Sequence, residues 1–194
     1  MQLLIALLLI IIVVLILFKI TNRNMTYVKS DIDNQMYLVR DLPDKQNAAN
    51  TLARLKQNIM TITNYLYTNI DNPKYKDFAP YIRQLHKRIQ NTVIIESSAN
   101  SIYTSYSVNK GEQIVFCIRS VKNKDDIHDI NLMMYVVLHE MAHVACPETG
   151  HTELFKKIFS FLTTTAIELG LYYKIPFGSD PKEYCNMTIT DSII

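Results

Sequence analysis

Hydrophobic and polar positions divide the chain into stretches with different periods. Residues Leu3 to Phe18 form an unbroken apolar run, LLIALLLIIIVVLILF. At about 1.5 Å per residue such a helix just crosses a thin hydrocarbon core, so residues 1–20 are expected to be a transmembrane anchor. A cleavable signal peptide fits less well, because no basic segment precedes the run and no small-x-small cleavage pattern follows it. Residues 21–43 are mixed and polar, and read as a tether with one short ordered segment around Met36–Val39. Leu52, Leu55, Ile59, Ile62 and Leu66 then recur at three–four spacing, the mark of one buried helix face. Asp44 is placed to cap that helix, and DNPK at 71–74 to end it. Pro80 opens a second helix, with Ile82, Leu85 and Ile89 on one face and Arg83, His86, Lys87 and Arg88 mostly on the other.

After Asn91 the period changes. TVIIES, SIYTSYSV and QIVFCIRS are rich in β-branched and aromatic residues, and Asn109-Lys110-Gly111 is a plausible hairpin turn. Two or three antiparallel strands are expected, the last over Gln113 to Arg119. Aspartates in NKDDIHD can cap an apolar helix beginning near Ile130. The fold class is therefore α+β: a membrane anchor over 1–20, a tether over 21–43, and one domain over 44–194 with a small antiparallel sheet.

Charge and cysteine content narrow the function. The net charge of +2 is too weak to argue for nucleic acid as a partner. Lys19, Arg23 and Lys29 follow the apolar run, which favours a cytoplasm-facing domain on a single-pass membrane protein. Cys117, Cys146 and Cys185 show no CxxC spacing. They suggest neither a disulfide framework nor a cysteine zinc cluster, and fit a reducing compartment.

The helix near residue 130 carries the chemistry. Within YVVLHEMAHVACPETGHTELF (135–155), His139, Glu140 and His143 interrupt a run that otherwise belongs in a core. Burying such groups without partners costs several kcal/mol each, to order of magnitude. Residues four apart lie one turn apart on the same face, so His139 and His143 can offer two nitrogens to one Zn²⁺. Glu140 is rotated off that point and can reach a water there as general base; this is the H-E-x-x-H arrangement. A pair of hydrogen-bonded core histidines is the competing reading, and it would need three separate partners. His151 is the expected third ligand. Pro147 ends the helix, Gly150 lets the chain reverse, and a second amphipathic helix carrying Leu154, Phe155, Ile158, Leu162 and Leu169 packs back on the first. Cys146, His128, Glu148, Glu153 and Glu168 are less well placed, and Tyr172, Tyr173 and Tyr184 are open candidates for stabilising an oxyanion.

LHEMAH followed by GHTELFKKIF resembles the zincin metallopeptidases of the WLM and SprT-like groups, over about residues 112–170. The spacing between His143 and His151 matches neither group closely. FCIRS, HEMAH and EYCNM also look like metallopeptidase-like proteins of large DNA viruses. The resemblance implies a zincin-like fold, His139, His143 and His151 as zinc ligands, Glu140 as catalytic carboxylate, and a protein or peptide substrate. SprT-like relatives act on DNA–protein crosslinks, but no basic DNA-binding tail is present here. The alternative is a zinc-binding, membrane-anchored structural or virion protein without useful protease activity.

Overall fold

The computed structural model describes residues 7, 9–12, 24–122 and 126–194. A hairpin of β1 (Met25–Lys29) and β2 (Met36–Arg40) leads into the long helix α1 (Lys45–Thr68), a 3-10 turn (Pro73–Phe78) and α2 (Ala79–Ile89). Three short strands follow: β3 (Val93–Glu96), β4 (Tyr106–Val108) and β5 (Gln113–Phe116). Then come α3 (Ile130–Ala145), α4 (Glu153–Glu168) and a last hairpin, β6 (Lys182–Tyr184) with β7 (Met187–Ile189). The class is α+β with three small sheets.

The helices follow the apolar periods. Leu52, Leu55, Ile59, Ile62 and Leu66 of α1 are buried, as are Ile82, Leu85 and Ile89 of α2. Asp44 precedes α1 but makes no capping bond; its carboxylate instead accepts from Arg119 Nη1 at 2.7 Å. Asp129 does cap α3, accepting from the amides of Asn131 and Leu132.

Three expectations are corrected. No helix among the described residues is long and apolar enough to cross a membrane. The anchor over 1–20, and the single-pass membrane placement that rested on it, is therefore not supported. Of that segment the structure describes residues 7 and 9–12, which are helical. The rest of that segment lies outside the described residues. The sheet, secondly, is mixed rather than antiparallel. Its order is β3-β5-β4, with β3 parallel to β5 and only β4 antiparallel to it. The segment between β3 and β4 returns the chain to the far side of β5, so β5 is central. Regular pairing stops at Phe116, and beyond it Arg119 makes only an isolated bridge to Ile127. Thirdly, Cys117 and Cys185 form a disulfide across 68 residues, which their irregular spacing did not suggest.

The stretch read as a tether contributes to the core. Tyr37 and Val39 of β2 are buried with Ala48, Ala49 and Leu52 of α1. Beside them a buried ion pair joins three parts of the chain. Arg119 Nε donates to Glu96 Oε1 at 2.7 Å, and the backbone amide of Arg40 donates to Glu96 Oε2 at 2.7 Å.

Candidate metal centre

α3 is apolar nearly all round, and twelve of its sixteen residues are buried. His139 and His143 are half-buried on the one face that opens to a cleft. The helix stops at Ala145, with Cys146 extended ahead of Pro147. Its last carbonyls do not go unpaired. Arg88 Nη1 donates to Val144 O at 2.7 Å, Gln84 Nε2 to Ala145 O at 2.8 Å, and Lys110 Nζ to Cys146 O at 3.1 Å. Lys110 also donates to Glu148 O, so it pins the loop that reverses the chain. Gly150, at φ +84°, completes the reversal. Thr152 caps α4 by accepting from the Phe155 amide and donates to Glu148. His151 thus sits immediately before the cap and faces back over α3.

The Nε2 atoms of His139, His143 and His151 form a triangle with every edge 3.1 Å. Tetrahedral ligands at zinc–imidazole distances stand about 3.3 to 3.4 Å apart, so the triangle fits one small divalent cation. Mutual hydrogen bonds cannot satisfy three converging ring nitrogens, each a single donor or a single acceptor when neutral; one cation can. Among the described residues these three histidines are the group placed to hold a metal. The phenyl ring of Phe155 underlies all three, with centroids 4.3 Å from His143, 4.8 Å from His151 and 5.1 Å from His139. Without a metal, burial and the neighbouring imidazoles His143 and His151 push His139 down to about 3. Burial, then His151 and Lys110, push His143 down to about 4. Both rings therefore stay neutral, the form that ligates metals.

Glu140 is 3% exposed and lies on the wall of the same cleft. The Ser107 amide donates to its carboxylate, while Oε2 has no hydrogen-bond partner among the described residues. Without a metal, burial pushes its pKa up to about 8; a cation held by the three histidines would lower it again and favour the ionised form that a base requires. The sequence offered no sign of Ser107. It belongs to β4, the sheet edge that runs along the cleft beside His139 and His143. The strand expected over Gln113–Arg119 is the central one and offers no free edge.

The other candidates are placed elsewhere. His128 is in the fold interior, its Nε2 accepting from the Cys185 amide at 3.0 Å. Cys146 is buried and unbridged. Glu153 pairs with Lys156, and Glu168 with Lys74. Of the three tyrosines, Tyr184 lines the cavity that holds Glu140, with its hydroxyl bonded to Ser105 and to Cys117 O. Tyr172 is buried against Tyr135 and Tyr173 is exposed. Phe155 read as core packing in the sequence; only the histidine four residues before it hinted at more.

The chain is 48% identical to an uncharacterized protein of Acanthamoeba polyphaga mimivirus, R325, over 178 residues, covering 92% of this chain and 89% of that one. It belongs to that protein's family. The chain is also similar to an uncharacterized protein of Invertebrate iridescent virus 6, 38% identical over 112 residues, 57% of this chain and 59% of that one. An uncharacterized protein of Invertebrate iridescent virus 3 is 42% identical over 84 residues, 43% of this chain and 50% of its own. No protein-family profile matches the chain, and no solved structure matches it.

Proposed function

We propose that this member of the R325 family is a zinc-dependent peptidase of the zincin kind. The carrying observation is the 3.1 Å triangle of His139, His143 and His151 with the free oxygen of Glu140 on the same cleft wall. A structural metal site would have no use for a buried carboxylate that the ligand set leaves out.

His139, His143 and His151 would hold the ion through Nε2. A zinc ion bound there supplies Lewis acidity, acidifying water and polarising a carbonyl. Glu140 does the proton work: Oε2 takes a proton from the attacking water and returns it to the leaving amine nitrogen. The Ser107 amide donates to that carboxylate and leaves Oε2 without a protein partner. An extended peptide can add to the β4 edge, which borders the site. Next to His139 and Glu140 a cavity of about 280 Å³, with Val136, Met187 and Ile189 on its apolar side and Ser105, Thr190 and Asp191 on its polar side, can take a side chain beside the scissile bond.

The test is metal content and cleavage measured together. One zinc per chain, lost on His151→Ala, with cleavage of unfolded proteins abolished by Glu140→Gln at unchanged zinc content, supports the peptidase. Full zinc occupancy with no cleavage of any substrate would favour a structural or virion role.

A further inference from the structure

The last hairpin, β6–β7, forms a two-stranded sheet of its own and is not paired to β3–β5. Its residues Tyr184, Met187 and Ile189 wall the cavity beside His139 and Glu140. Polar ties hold it: Tyr184 Oη donates to Cys117 O at 2.7 Å, and Ser120 Oγ donates to Glu183 at 2.9 Å. The disulfide from Cys117, just after β5, to Cys185 is its covalent tie. Cys185 is the first of two residues turning between β6 and β7, and stands at φ +57°, a left-handed conformation that glycine favours.

The disulfide is open from the other side. Both cysteines line a second cavity of about 280 Å³, together with Arg40, Ser98, Tyr103 and Asn186. Cys117 is half-buried, whereas Cys185 is 3% exposed, so of the two cysteines Cys117 offers the larger surface. Behind Cys185, His128 Nε2 accepts the Cys185 amide at 3.0 Å and lies 3.7 Å from its sulfur.

We propose that Cys117–Cys185 is a thiol-exchange site for a small dithiol, and that its reduction frees the hairpin wall of the cleft without disturbing the three histidines. One thiolate of the reagent attacks Cys117 Sγ. The S–S bond breaks, its electron pair leaves on Cys185 Sγ, and that thiolate takes a proton from water. The reagent's second thiolate then attacks the mixed disulfide at its own first sulfur, and Cys117 leaves as a thiolate and is protonated. The protein disulfide gains two electrons, and the dithiol becomes an internal disulfide. The released Cys185 thiol can donate to Cys117 O, 3.4 Å from its sulfur, because His128 Nε2 is already taken by the Cys185 amide. Without the cross-link the left-handed turn keeps that imidazole, the polar ties of Tyr184 and Glu183 and the buried Tyr184 ring, but loses its covalent hold. The histidines come from α3 and from the loop ahead of α4, and neither is cross-linked to the hairpin. That the wall belongs to a substrate cleft rests on the peptidase reading; the exchange and the loosening do not.

Hydrogen–deuterium exchange on the full chain, before and after dithiothreitol, tests the proposal. Amides of 182–189 are expected to exchange at least tenfold faster after reduction, and equally so in a Cys117→Ser/Cys185→Ser variant. Those of 130–145 keep their protection. Zinc content is read on the serine variant, because dithiothreitol itself binds zinc, and is expected to match the oxidised protein. Unchanged exchange at 182–189 overturns the proposal, and so does loss of protection along the whole chain. If neither form cleaves any peptide, the peptidase reading fails while the exchange data still decide the hairpin's release.

Discussion

The ring of Phe155 stacks on that of His143, with centroids 4.3 Å apart and planes inclined by 30°. Because the same ring touches His151 and His139, one apolar side chain from α4 sets the height of three imidazoles that come from two separate segments. Phe155→Leu, which keeps much of the volume and loses the flat face, is expected to weaken zinc binding by about tenfold, the lower end for residues that orient metal ligands. Competition with a chromophoric chelator measures this, and an unchanged affinity would remove Phe155 from the site.

Gly111 turns the chain between β4 and β5 at φ +109°, and a Cβ there would stand 2.8 Å from Val144 Cγ1. Val144 follows His143, so the clash presses on the ligand helix. Gly111→Ala should cost about 1–3 kcal/mol, combining backbone strain with overpacking. Val144→Ala should recover part of that loss in the double variant. Denaturant titration of the three variants gives the coupling, and strict additivity would show that the two residues do not meet.

Arg119 and Glu96 are both almost wholly buried and bonded at 2.7 Å. Removing one partner leaves the other charge in a poor solvent. Glu96→Gln should therefore cost about 3 kcal/mol, near the low end for a broken buried pair because Asp44 still accepts from Arg119. Equilibrium unfolding decides it; a loss below about 1 kcal/mol would mean that the pair is not sequestered from water.

The metal-free protein should show opposed pH limits. His139 and His143 are neutral in the fold down to about 3 and about 4, against 6.5 when unfolded. The unfolded chain binds those protons first, so their contribution is full above about 6.5 and declines as pH falls from there towards about 3. Glu140 runs the other way. Its pKa of about 8 exceeds the ordinary 4.5, so the fold holds that proton longer and stability declines as pH rises from about 4.5 towards 8. Melting curves in chelator should show Glu140→Gln losing less than wild type between pH 5 and 8. Equal slopes for the two proteins would contradict it.

Much of the site was legible because it is local. His139, Glu140 and His143 lie within one helix turn and a half, and geometry fixes their faces. Pro147 and Gly150 mark the reversal that returns His151. The helices were legible for the same reason, since Leu52 to Leu66 declare their buried side by period alone. What the sequence hid is non-local. Nothing near Cys117 announces Cys185, which is 68 residues away. The parallel pairing of Val93–Glu96 with β5 depends on where the chain crosses after Glu96, and no residue pattern records it. Ser107 contributes through its backbone amide, which every residue except proline possesses.

The bond from the Arg40 amide to Glu96, with Tyr37 and Val39 packed inside, bears on where the polypeptide can be shortened. Cutting ahead of Asp44 would strip a strand pair from its helix and leave a sequestered carboxylate short of a donor. The smallest autonomous unit therefore starts by about Asn24, some twenty residues earlier than hydrophobic periodicity alone advises.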